Sequence, residues 1–215
     1  MTSRYTVRTL MLASGERLPV LMNRELGTPV FEPTVYTVSA LRARNQASNS
    51  IDAALRSIMI FYLFLDDQHI EFDRRLEEGK VLGLGEVDEL VRFCRLPLKR
   101  LSLLIDEMDE VVTMTRVVSI EKHRMKQEVA KDGEDVASAA SRVRYIRDYL
   151  RWLVESRVSK FSLDKQTTTL LESAGRRTIE ALNARIPAAR GRNTIGGREG
   201  IGQEAIDIRV SHSGR

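Results

Sequence analysis

The chain has 215 residues, 42% of them hydrophobic and 30% charged, which is ordinary for a folded globular protein and long enough to bury a substantial core. Aromatics at 6% and only five prolines favour helix over strand, and the single cysteine, Cys94, excludes an internal disulfide. The net charge of +4 conceals an uneven distribution: +3 over residues 1–50, −6 over 51–110, +4 over 111–160 and +3 over 161–215. Basic flanks around an acidic middle permit a polyanionic partner without requiring one.

The first twenty residues, "MTSRYTVRTLMLASGERLPV", carry arginines but lack the uninterrupted apolar run of a secretory signal. "RLPVLMNRELGTPVFEP" reads as a short hairpin, two β-prone runs around a turn that holds Asn23, Gly27 and Pro29. Residues 1–32 are therefore expected to form an N-terminal arm. Pro33 suits the start of a helix through "PTVYTVSALRARN", in which Val35, Val38 and Leu41 recur at helical spacing, and "NQASNS" breaks it.

A second helix is expected from near Asn49, with Asp52 in a capping relation, through "IDAALRSIMIFYLFLDD". Its second half is apolar on every side, which marks a central helix packed by several neighbours. The run "IMIFYLFL" is far short of the roughly 20 apolar residues a membrane span needs, so a cytoplasmic protein without membrane contact is expected. A short acidic helix, a linker at Gly83 to Gly85 and a helix stopped by Pro97 follow. Residues 97–130 read as partly helical and partly extended. A long helix over about 135–159 comes next, then another with Ser162 as N-cap and Pro187 as stop. Residues 188–215 are rich in glycine, almost without apolar periodicity, and read as a flexible linker or disordered tail.

The chemistry concentrates in "SRVRYIRDYLRWL", residues 141–153. On a helical projection Leu153, Ile146, Leu150 and Tyr149 share one arc, the core face. Arg144, Arg147 and Arg151 gather on the opposite side, within a sector of roughly 60°, while Arg142 falls on the core-side arc. An exposed helix face needs polar residues whatever its function, and arginine is a good helix former. What favours a polyanion is partial neutralisation, because Asp148 and Glu155 lie only on the flank of the ridge. The guanidinium fork also matches phosphate geometry.

The order "SNSIDAALRSIMIFYLFLDDQHIEF", "LGLGEVDELVRFCR", "DVASAASRVRYIRDYLRWLVES" resembles the N-terminal core-binding domain of the tyrosine recombinase (phage integrase) family. The resemblance covers about 130 residues, from Pro33 to about Lys160. It implies a mainly α fold, a helical bundle of the core-binding type over residues 33–187, which clamps one side of duplex DNA for integration or recombination. It further implies that Ser138 stands where the family has a threonine opening the helix, with Ser in its place, that Arg142 is the recurrent arginine and Arg147 the arginine of an Ile-Arg pair. Trp152 and Leu153 match a Trp-Leu pair that packs the bundle. Partners implied are double-stranded DNA and other recombinase protomers.

In that family, catalysis belongs to a further domain with arginine, lysine, H-x-x-R and a tyrosine nucleophile. The five tyrosines here, at 5, 36, 62, 145 and 149, all lie upstream of where such a domain would begin. No catalytic residue is therefore assigned, and the chain is expected to be a non-enzymatic, DNA-binding N-terminal fragment. The "HSGR" at 212–215 spells H-x-x-R but sits in the tail, where chance accounts for it. Arg144, Arg147 and Arg151 are the primary phosphate-contact candidates. Ser138 and Arg142 join them by resemblance, and Arg176, Arg177, Arg190 and Arg192 as basic residues of the last helix and tail.

Other constellations carry less. His69, His123 and His212 are scattered, with only Cys94 to join them, so neither a metal nor another cofactor is expected. "IGGREGIG" lacks the lysine of a phosphate-binding loop. The carboxylates of "DDQHIEFDRRLEE" have basic neighbours and read as a solvated helix surface. The competing function is a helical protein–protein interaction module that uses the acidic region 51–110 and has no nucleic-acid role.

Overall fold

The computed structural model describes residues 4–96, 136–160 and 164–186. The expectations for residues 97–130, Ser162, Pro187, Arg190, Arg192 and the tail lie outside them. The chain is mainly helical, with a three-stranded antiparallel sheet in the order β1-β2-β3 at its N-terminal end.

Strands β1 (Tyr5–Met11) and β2 (Arg17–Asn23) pair over seven positions, from Tyr5 opposite Asn23 to Met11 opposite Arg17. The connecting turn closes with Gly15 at φ 80°, a conformation glycine adopts without steric cost. β3 (Thr28–Pro29) covers only Met22 and Asn23. The expected hairpin is the β2–β3 pair, and β1 adds the strand that sequence reading omitted. Leu21 accepts from the Val30 amide, so odd-numbered residues of β2 face β3. Pro19 therefore directs its missing N–H toward the edge that β3 leaves uncovered, where it forfeits no ladder bond. Asn23 shapes the β2–β3 turn by accepting from the amides of Glu25 and Leu26 at 3.0 and 3.1 Å.

Helix α1 (Phe31–Tyr36) begins two residues before Pro33 and runs directly into a π-helical turn, Thr37–Arg42. The hydroxyls of Thr34, Thr37 and Ser39 each donate to the carbonyl four residues back, at 2.7 to 2.8 Å, and compete there with the α-helical amide bond. Asn45, at φ 51°, ends this segment. Helix α2 (Ser48–Asp67) starts without a side-chain cap. Asp52, expected to cap it, instead accepts from Arg56 at 2.6 Å, one turn along the exposed face.

Helices α3 (Phe72–Glu77) and α4 (Leu84–Phe93) follow. The Gly83 to Gly85 stretch is no free linker. Gly83 is the N-cap of α4, its amide donates to the Glu86 carboxylate at 2.8 Å, and Gly85 lies in the first turn. Helix α5 (Val136–Lys160) matches the long helix expected, and α6 (Lys165–Arg185) is capped not by Ser162, as expected, but by Asp164, which accepts from the Thr167 amide at 2.9 Å. The Thr167 hydroxyl, and after it that amide bond, hold the Asp164 carboxyl below its usual range.

Helix α2 occupies the centre, packed by β1, β2, α4 and α5. It buries Ile51, Leu55, Ile58, Phe61 and Phe64, among others, and α5 answers with Val143, Ile146, Tyr149, Leu150 and Leu153. Each such side chain contributes about 1.5–3 kcal/mol on burial. Tyr5 and Leu21 belong to the same core, so the sheet is part of the helical body and not a detached arm. Arg157 of α5, only 13% exposed, pins the N-terminal region from behind by pairing with Glu32 at 2.9 Å and Asp73 at 2.6 Å.

Gly79 closes the turn after α3 at φ 71°, and a Cβ there would stand 2.9 Å from Cβ of Leu170 and 3.2 Å from the Thr167 carbonyl oxygen. Gly79→Ala is expected to lower unfolding stability by about 1–3 kcal/mol, combining backbone strain with the displacement of α6. A denaturant midpoint equal to wild type would remove this account of the α3–α6 contact.

Candidate nucleic-acid interface

Helix α5 presents its apolar arc as expected. Ile146, Tyr149, Leu150 and Leu153 are buried, and Trp152 is half-buried against Tyr36 and Tyr149, with ring centroids at 5.1 and 6.1 Å. Tyr149 is fully buried, shares a 3.0 Å hydrogen bond with the Tyr62 hydroxyl, and has its ionisation pushed far above the usual tyrosine range, chiefly by burial. This packing fixes the rotation of α5, and so the direction of its polar face.

The three ridge arginines do not share one environment. Arg144 is exposed and has neither an ion pair nor a hydrogen bond among the described residues. Arg151 has a side chain 46% exposed and reaches Asp148 at 3.4 Å. Arg147 is held back: its side chain is 21% exposed, it contacts Asp148 at 2.7 Å, and its Nη1 donates to Asn183 of α6 at 2.8 Å. The helical projection assigned Arg147 a direction but not a neighbour. Helix α6 packs along that flank and supplies the acceptor. Asp148, expected at the edge of the ridge, bridges Arg147 and Arg151 and neutralises part of the cluster.

Arg142 has an internal role. Its Nη1 donates to the carbonyls of Cys94 and Leu96, both at 2.8 Å, where α4 ends. Cys94 is the C-cap of the helix, whose terminal carbonyls lack amide partners at the negative end of its dipole, and Leu96 follows two residues beyond. A guanidinium committed in this way joins α5 to α4 and is turned away from the ridge. Ser138 is exposed near the start of α5. Arg176 and Arg177 are exposed on α6, the latter making a 3.4 Å bond to the Ser173 carbonyl.

One member of the cluster was missed by sequence reading. Arg44, exposed and without an acidic partner among the described residues, lies close enough to Tyr36 to act on its ionisation together with Arg151 and Asp148. The Tyr36 hydroxyl is pushed up to about 12, first by burial and next by Asp148, while Arg44 and Arg151 oppose the shift. Arg44, in the α1–α2 connection, and Arg151, on α5, thus both lie within electrostatic reach of one hydroxyl. Nothing in "ALRARN" marks it, because the proximity depends on α1 packing against α5.

The acidic block behaves differently from its −6 total. Asp52 pairs with Arg56, Asp66 with Arg4, Glu86 with Arg75 at 2.7 Å, Glu89 with Arg92 and Asp88 with Arg185. The Arg185 bond draws the Asp88 carboxyl below its usual range. Among the described residues of this block, most carboxylates are therefore paired with cations on their own or neighbouring elements. Among the described residues no group of three metal-ligating side chains occurs, and no helix is long and apolar enough to cross a membrane. Neither protein-family models nor curated proteins nor solved structures offered a match to this chain.

The different environments separate structural from surface arginines. Arg142→Ala is expected to cost about 1–3 kcal/mol of unfolding free energy, because two carbonyls lose their donor, whereas Arg144→Ala should stay within about 0.5 kcal/mol of wild type. Urea denaturation of both variants decides the point, and equal stabilities would refute the assignment of Arg142 to the α4 terminus.

Proposed function

We propose that the helical body binds duplex DNA through the outward face of α5, as a core-binding module of the tyrosine-recombinase type acting in DNA integration or recombination. The observation that carries the proposal is the pair of exposed arginines Arg144 and Arg151 on the outer side of α5, of which, among the described residues, Arg144 has no acidic partner and Arg151 only Asp148, with exposed Arg44 acting on the same Tyr36 hydroxyl as Arg151. Contacts from such a surface go to phosphate oxygens, which position a protein on the duplex without reading its sequence. Arg176 and Arg177 extend the exposed positive charge onto α6.

The reading assigns this chain no strand-cutting step. A tyrosine nucleophile must reach a phosphorus atom and give up its proton. Tyr5, Tyr36 and Tyr149 are instead buried, and burial raises the ionisation of all three. The rival reading, a protein-interaction module built on the acidic region, has less to work with because so many of its carboxylates already face arginine.

The test is a salt titration of duplex binding, followed by fluorescence anisotropy. Removing two phosphate contacts with Arg144→Ala and Arg151→Ala together should weaken binding and reduce the log–log salt slope by about 1.8. Asp148→Asn should act in the opposite sense, since it frees Arg147 and Arg151 from their shared acid, and tighten binding at low salt. Affinity and slope unchanged in both variants would eliminate the α5 face as the DNA contact.

A further inference from the structure

The outer edge of β1 is a surface that the α5 reading does not use. Two bonds at the ends of the strand fix its direction: the Arg24 amide donates to the Arg4 carbonyl and the Leu12 amide to the Glu16 carbonyl. Even-numbered residues of β1 therefore turn their backbone groups toward β2, and Val7, Thr9 and Met11 turn theirs outward. The sheet ends at β1, and among the described residues nothing bonds to the outward amides and carbonyls of these three.

Sheets ordinarily blunt such an edge with a proline, a bulge or a very short strand. The far side of this sheet is blunted in that way, because Pro19 lies where β3 leaves β2 uncovered. β1 has none of these devices. Its register with β2 is unbroken over seven positions, "YTVRTLM" holds no proline, and residues 8–11 are exposed, Met11 by 70%.

The charge around the edge is of one sign. Tyr5 belongs to the core and Val7 packs against it, so Arg8 stands on the opposite face of the strand. A strand added outside β1 would meet Arg8 at a non-hydrogen-bonded position, where facing Cα atoms come within about 4.5 Å and side chains are closest. Arg17 faces Met11 across the ladder and Arg24 follows β2 at the other end. All three arginines are exposed and lack an acidic partner among the described residues. The carboxylates next to them in sequence, Glu16 and Glu25, are engaged by Arg42 and Arg4.

We infer that β1 receives an extended acidic segment of a partner protein, which adds as a fourth strand, bonds to Val7, Thr9 and Met11 and sets a carboxylate opposite Arg8. In this mode main-chain bonds supply affinity and alternate side chains supply specificity. Charge selects this occupant over a second copy of the chain, since pairing β1 with itself sets side by side two strands that carry arginine and no acid. The inference goes beyond the α5 reading and shares no residue with it.

The full chain is titrated at low salt with a labelled peptide of about ten residues, threonine alternating with valine and glutamates at its centre and near both ends, and with its lysine counterpart. The glutamate peptide is expected to bind saturably and at least about tenfold more tightly than the lysine peptide. On binding, amide hydrogen exchange at Val7, Thr9 and Met11 slows, whereas Thr6, Arg8 and Leu10, already bonded to β2, keep their rates. Arg8→Glu should reverse the preference between the peptides. Thr9→Pro, which removes only an outward amide, should abolish binding of both at an unchanged thermal midpoint. The exposed position of Arg8 keeps its variant folded whatever proline does to the strand. Unchanged exchange at the three outward amides, or a preference indifferent to Arg8→Glu, overturns the inference. So does dimerisation that Thr9→Pro abolishes and the peptide does not inhibit, which gives the edge to a second copy, or competition by duplex DNA that Arg8→Glu abolishes, which gives it to nucleic acid. The Arg144→Ala, Arg151→Ala double variant should bind the peptide normally, so failure at β1 and failure at α5 are read separately.

Discussion

The packing of α5 onto α2 is the contact from which the rest of the molecule takes its bearings. Tyr149 sits at its centre, fully buried, in edge contact with Tyr36 at 5.4 Å and Phe61 at 6.3 Å and hydrogen-bonded to Tyr62. A buried tyrosine has a polar end that tolerates few partners and a ring that tolerates few orientations, so it sets rotation as well as depth. Once α5 is held by that side chain, Arg144 and Arg151 face outward, Arg142 reaches the end of α4, and Arg157 reaches the acids of α1 and α3.

The arginines show how one residue type serves separate ends. Arg142 and Arg157 spend their charge on fixed acceptors within the fold, where a guanidinium can satisfy several oxygens at once. Arg147 is tied at one end to Asp148 and at the other to Asn183, and so helps seat α6. Only the remainder is left for a partner. A basic composition therefore overstates the cationic surface, and the acidic block overstates the anionic one. Local net charge along the sequence is a poor guide to the field outside the molecule when ion pairs cross the blocks, as Asp88 and Arg185 do.

Much of the fold was legible because it follows from period and length. The long apolar stretch of α2 required a central position, and the core arc of α5 was placed correctly by projection alone. Legibility failed where a local signal had a competitor. Asp52 had the spacing of a capping residue but found Arg56. Gly83 and Gly85 looked like a linker, yet glycine is also acceptable at an N-cap, and Glu86 stood three residues on. The strand β1 was passed over because "YTVRTLM" has only a weak alternation, and β2 supplies the pairing that stabilises it.

The sequence by itself determined that the protein is mainly helical, which helix is central, and which side of α5 is apolar, since these depend on intervals along one segment. Tertiary structure alone decided which arginines remain available. It brought α6 against Arg147 and the α4 terminus against Arg142, and set both Arg44 and Arg151 within reach of the Tyr36 hydroxyl. Whether a charge is free depends on oxygens distant in the chain, and those distances are set by how the helices pack and not by the spacing within any one of them.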